Sequence, residues 1–260
     1  MTQASVSPAH RARLRRPARA KAGRYFFTVA AAIMLVLTFL GFSAFYLRGM
    51  AFPNRPISPP IKGLIIFHAV CMSLWMGVLV LQPALIAAGN RKLHMKLGKA
   101  AAAFAALILV TGVIVAVRAT QVTPPDAVIL GFPRLNFFAI PLFTVLAFAA
   151  FVAAAIAYRR KPRIHRALMI AGTLITLSAP LNRIQMLNDV YIGTVWDRIV
   201  GPYFWVVILG VALLAARSII TRALDRPFAV AIAATTLISI GIVQLARTDQ
   251  WAHLVAWMIN

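Results

Sequence analysis

Seven stretches of the chain stay apolar for about 20 residues each, the length a helix needs to cross a hydrocarbon core of about 30 Å. They run roughly over Tyr25–Leu47, Ile61–Ala88, Leu97–Val117, Phe137–Tyr158, Ala167–Leu181, Tyr203–Ile220 and Phe228–Leu245. The fifth is the shortest, but counted from His165 to Arg183 it covers about 27 Å at 1.5 Å per residue, so it spans with polar ends. Proline, glycine and basic residues punctuate the breaks, as in Pro53-Asn54-Arg55-Pro56, Thr123-Pro124-Pro125-Asp126 and Asp225-Arg226-Pro227. The pattern predicts an all-α fold: a seven-helix transmembrane bundle over 25–247, a disordered basic tail over 1–24, and a short interfacial segment over 248–260.

Composition agrees. Hydrophobic residues make up 62% and charged ones 12%, where a soluble domain is roughly 45–50% apolar and about 25% charged. The net charge of +22 would suggest nucleic acid in a soluble protein, but its placement gives another reason. Of 27 Lys and Arg, 19 fall in the tail and in the second-to-third, fourth-to-fifth and sixth-to-seventh turns, and four of the five Asp fall on the other side. The positive-inside rule then predicts a cytoplasmic N-terminus and a C-terminus outside. The tail is expected to meet anionic lipid headgroups, and topology accounts for its charge without nucleic acid. Span 1 is longer than the 7–15-residue core of a signal peptide and reads as an uncleaved anchor. Cys71 is the single cysteine, which excludes an internal disulfide and a Cys-based metal centre. No carboxylate lies in the middle of a span, which argues against a transporter coupled through an intramembrane acid. Phosphate-loop, His-Glu-x-x-His and Gly-x-Ser-x-Gly motifs are missing too, so nothing points to an enzyme.

Two turns on the basic side look alike. Lys92-Leu93-His94-Met95-Lys96-Leu97 opens span 3, and Arg163-Ile164-His165-Arg166-Ala167-Leu168 opens span 5. Both read basic–aliphatic–His–x–x–Leu, 71 residues apart, which makes spans 2–3 and 4–5 candidate parallel repeats about an axis along the membrane normal. Such a repeat sets His94 and His165 at equal depth. Two imidazoles from two helices can ligate haem iron, with the basic neighbours on its propionates, or they can handle protons. They can equally be headgroup-zone histidines with no ligand.

Polar stripes mark the spans. His68, Trp75 and Gln82 recur every seven residues on one face of span 2. His68, about two turns from the outer end, is either a functional group facing the bundle interior or a histidine bonded to a neighbouring helix. On span 5, Gly172, Thr176 and Arg183 share a face with His165, and Pro180 predicts a kink near Thr176. Arg183 is expected to form a structural ion pair with Asp189 or Asp197, the alternative being an anion site.

The order of these features resembles a family of uncharacterised bacterial seven-span inner-membrane proteins. The likeness is carried by His68…Trp75, by His94-Met95-Lys96-Leu97-Gly98 opening span 3, by His165-Arg166-Ala167-Leu168-Met169 opening span 5, and by the closing Trp251…Trp257. It covers nearly all of residues 25–260. The sequence departs from it at Ile66, where the family often carries a further His. The two His turns also look like those of four-span proteins linked to cytochrome oxidase assembly. The resemblance implies a multi-pass inner-membrane location. Two functions follow as expectations: a haem-associated or redox-assembly protein using His68, His94 and His165, or a non-catalytic small-molecule carrier or partner subunit of another membrane protein.

Overall fold

The structure, a computed structural model, describes residues 8–52, 55–57 and 59–259, with side chains from Gly23 onward except that of Arg55. Among the described residues seven helical segments are long and apolar enough to cross a membrane: span 1, Gly23–Gly41; span 2, Pro59–Ala87; span 3, Arg91–Val122; span 4, Arg134–Ala157; span 5, Pro162–Leu181; span 6, Gly201–Thr221; and span 7, Arg226–Ala246. Helical backbone begins at Pro8 and runs on into span 1. The first seven residues of the expected tail lie outside the described residues, as do the side chains of 8–22. A helix over Asp249–Ile259 closes the chain.

Two boundaries move for local reasons. Span 1 stops at Gly41, and Ser43–Arg48 forms a separate helix that ends on Gly49 in the left-handed region, φ 63°. Span 3 begins six residues earlier than hydropathy predicts. The Asn90 side chain accepts from the Leu93 N–H at 3.1 Å, so a cap starts the helix inside the basic turn.

Six spans close a ring in the order 1, 2, 3, 4, 7, 6, and span 5 runs through its middle, packed on spans 1, 4, 6 and 7. This explains why span 5 is short and the least apolar of the seven. Of its apolar window 61% is buried in protein, against 22% for spans 2 and 6. Its neighbours are side chains rather than lipid, and contact through small residues serves it better than bulk hydrophobicity. Gly172 accordingly meets Phe151 of span 4, where a Cβ would come within 2.7 Å of the Phe151 Cβ. The helix breaks after Thr176 and resumes at Ser178–Leu181, since Pro180 has no N–H for the Thr176 carbonyl. Trp75, 1% exposed, joins span 2 to this centre. Its Nε1–H donates to Thr173 Oγ1 at 3.0 Å, and its ring meets Phe148 edge-on at 5.0 Å.

The spans alternate in direction. The end that carries the start of span 1 and the turns around Asn90, Lys161 and Asp225 is here the basic end, and the opposite one the far end.

Candidate functional site

At the basic end, His94 and His165 stand in the first turns of spans 3 and 5. Their ring centres are 6.5 Å apart and their planes nearly perpendicular, at 89°. Both rings are half-buried. The His165 Nδ1–H donates to the Ala155 carbonyl at 2.8 Å, one of the last carbonyls of span 4, which no helical N–H reaches. A carbonyl only accepts, so Nδ1 carries a proton, and in the neutral ring Nε2 then keeps its lone pair.

His94 has a more contested neighbour. Its Nδ1 lies 3.3 Å from the Gln82 carbonyl. The Gln82 amide is assigned from its neighbours: with Oε1 accepting from the Gly98 N–H at 3.1 Å, its nitrogen faces the His94 carbonyl at 3.2 Å and Nδ1 at 2.5 Å. An amide nitrogen only donates. Donation by Gln82 to Nδ1 leaves the proton on Nε2, whereas donation from Nδ1–H to the Gln82 carbonyl frees Nε2. The Gln82 amide and the carbonyl therefore ask for opposite tautomers. Among the described residues no group of three or more His, Cys, Asp or Glu forms a metal site, so the pair offers two protein ligands. The basic residues near them in sequence are Arg91, Lys92 and Lys96 beside His94, and Arg159, Arg160, Lys161, Arg163 and Arg166 beside His165.

His68 belongs elsewhere. From His68 to Gln82 along span 2 is about 21 Å at 1.5 Å per residue, so His68 cannot share a ligand atom with the pair. Its Nδ1 lies 2.9 Å from Thr111 Oγ1, whose own proton goes to the Leu107 carbonyl at 2.9 Å. Thr111 therefore accepts from Nδ1–H and leaves His68 Nε2 as an acceptor. The ring borders a cavity of about 590 Å³ between spans 1 to 4 and the broken end of span 5, with Thr176 and Arg183 also on its wall.

Arg183 corrects an expectation. It pairs with neither Asp189 nor Asp197. Asp189 accepts from Gln185 at 3.0 Å, and Asp197 lies 3.7 Å from Arg247. The Arg183 guanidinium instead donates from Nε to the Ala51 carbonyl at 3.1 Å and from Nη1 to the Ala179 carbonyl at 2.6 Å. It is held between the Phe42 and Phe52 rings, 4.5 and 4.4 Å from their centres. Burial pulls its pKa down to about 10, which leaves it cationic at neutral pH. Asp189 caps the short helix Gln185–Asn188 and Asp197 lies in Val195–Ile199, and each carboxylate has a partner of its own there.

Two features gave no signal in the sequence. Arg134, at the start of span 4, also lines the cavity: Nη1 donates to the Thr120 and Thr123 carbonyls at 3.2 and 3.4 Å, and its buried Nε has no partner. Asn182 ties the far end together, giving its amide protons to the Ser178 and Pro202 carbonyls and accepting from the Tyr191 hydroxyl at 2.6 Å. Both depend on loops between spans, which hydropathy does not resolve.

No family model, curated protein or solved structure matches the chain.

Proposed function

We propose that the chain is a multi-pass protein of a bacterial inner membrane, N-terminus in the cytoplasm, that holds a haem between His94 and His165 in the service of respiratory redox assembly. The observation that carries this reading is the 6.5 Å separation of the two ring centres. His94 and His165 would each hold the iron through one ring nitrogen, and metal–nitrogen bonds of roughly 2.0 Å bring a shared metal within reach at this separation.

The chemistry of the donors fits. His165 has its Nδ1–H committed to a backbone carbonyl, and His94 has one within reach, the arrangement that orients a ligating imidazole and raises its basicity. Two protein ligands suit a porphyrin, which brings four nitrogens of its own, better than a structural zinc ion, which takes four from the protein. The basic surroundings disfavour a bare divalent cation and favour a group that brings two propionates. When bound, haem supplies one-electron chemistry. His94 and His165 would hold the group, His165 already in the ligating tautomer, and the neighbouring Arg and Lys would face its anionic edge. The two matching His turns make spans 2–3 and 4–5 a parallel repeat about that site. We read the chain as a binding or assembly protein rather than an enzyme.

A second reading has its own observation. The His165 bond to Ala155 closes the turn between spans 4 and 5, as a helix-capping side chain does. With His94 in the like role, the chain is a carrier or partner subunit with structural histidines.

Absorption spectra decide between them. Protein purified from cells given a haem precursor should show a Soret band that His94→Ala and His165→Ala each abolish and His68→Ala leaves in place. Colourless wild-type protein overturns the haem reading. The orientation has a separate check: a C-terminal reporter active only in the cytoplasm would reverse it.

A further inference from the structure

We infer that the interior cavity at the far end binds an amphipathic anion, a molecule with one apolar tail and a carboxylate or phosphate head. At about 590 Å³ the cavity has the size of a small-molecule site, commonly 300–1,000 Å³. Most of its wall is apolar, as at Phe45, Met72, Ile108, Val145 and Phe148. Two guanidinium groups border it, Arg134 and Arg183, and neither has a carboxylate partner among the described residues.

The donor inventory sharpens the class of ligand. Arg183 spends Nε and Nη1 on carbonyls, and Arg134 spends Nη1. That leaves the Nη2 of each, and the buried Nε of Arg134, without a protein acceptor among the described residues. The buried Nε of Arg134 without a partner costs free energy that a bound anion recovers, and a charged acceptor recovers more than a neutral one. The stacking of Arg183 between Phe42 and Phe52 keeps its plane fixed, so little entropy is lost when a head docks. No acidic side chain borders the cavity among the described residues, so a cationic ligand meets only repulsion. A wholly apolar one leaves the donors unsatisfied. Both arginines lie at the far-end termini of their spans, while Phe148 and Met76 lie deeper. The head therefore sits at the far end and the tail runs inward past His68.

The test uses full-length protein in phosphatidylcholine nanodiscs, titrated calorimetrically with oleate, 1-oleoyl-lysophosphatidate and oleyl alcohol, with empty discs as reference. One equivalent of oleate or lysophosphatidate should bind, about tenfold or more tighter than the alcohol, as charge-assisted bonds of 1.5–3 kcal/mol require. Which of the two binds tighter tells a carboxylate from a phosphate source. Arg183→Gln should weaken the anion roughly tenfold and leave the alcohol unchanged, and Ala119→Leu, which fills the cavity wall, should weaken all three. Equal affinity for oleate and oleyl alcohol overturns the inference. So does uptake no greater than that of empty discs, or normal oleate binding by an Arg183→Gln protein that melts like wild type. If Arg183→Gln does not fold, the three-ligand comparison on wild type and on Ala119→Leu decides alone.

Discussion

The Asp225 carboxylate accepts from Arg217 Nε at 3.3 Å, and both side chains are only 8% exposed. The same oxygen lies 3.4 Å from Arg166 Nη2 of span 5. Arg217 Nη1 donates to the Gly23 carbonyl at 2.9 Å, and its guanidinium packs on the Phe26 and Phe27 rings. One carboxylate thus ties the basic-end termini of spans 1, 5, 6 and 7. Asp225 is the one acid on the basic side of the sequence, and these contacts give it a reason to be there.

Asp225→Ala should therefore be strongly destabilising. It leaves a buried guanidinium without its counterion, a change worth about 3–5 kcal/mol. Arg247→Ala breaks the Asp197 pair, whose side chains are 36% and 23% exposed, and should cost less than about 1 kcal/mol. Thermal melting in one detergent compares them, and equal losses would refute the anchoring role of Asp225.

A side chain at Gly41 would overlap the Pro180 carbonyl, which is backbone and cannot swing away. Gly41→Val should force span 1 off the broken end of span 5 and lower the melting temperature sharply. Gly77 and Gly241 face open space, so alanine at either should be neutral or slightly stabilising through helix propensity. A Gly41→Val protein that melts like wild type would show that the two helices do not touch as described.

Hydropathy made the seven spans legible because lipid imposes one requirement on every span that faces it. Span 5 read as marginal for the opposite reason: it is enclosed by protein. The His-x-x-Leu likeness placed His94 and His165 at one level, but only the fold brings the rings to 6.5 Å. The seven-residue spacing on span 2 put His68, Trp75 and Gln82 on one face, yet each meets a different partner: Thr111, Thr173 and His94. Arg183 was misread because charge complementarity along the sequence says nothing about which loop folds toward it. Arg134 went unnoticed because a single basic residue at the head of a span looks like any other flanking charge.

The Trp75–Thr173 bond is the polar link between span 2 and the central helix. Trp75→Phe keeps most of the packing on Phe148 and loses the Nε1–H donor. It should cost about 1 kcal/mol, and adding Thr173→Ala should then cost less than Thr173→Ala does alone. A double-mutant cycle with no coupling would mean that the bond contributes nothing to stability.

Gln82 should restrain the proposed haem site rather than support it. With its amide nitrogen 2.5 Å from His94 Nδ1, it favours the tautomer that carries its proton on Nε2, and that nitrogen cannot then ligate a metal. Binding requires His94 to give up this bond and turn its Nδ1–H to the Gln82 carbonyl, 3.3 Å away. A neutral hydrogen bond is worth about 1 kcal/mol net, so its loss weakens ligation roughly fivefold. Gln82→Leu removes the competing donor and leaves the carbonyl as the sole partner of Nδ1. Haem titrated into the variant, followed at the Soret band, should bind about fivefold tighter than to wild type, with His94→Ala abolishing binding in both backgrounds. Weaker or unchanged binding by a Gln82→Leu protein of normal melting temperature would show that Gln82 does not set the His94 tautomer.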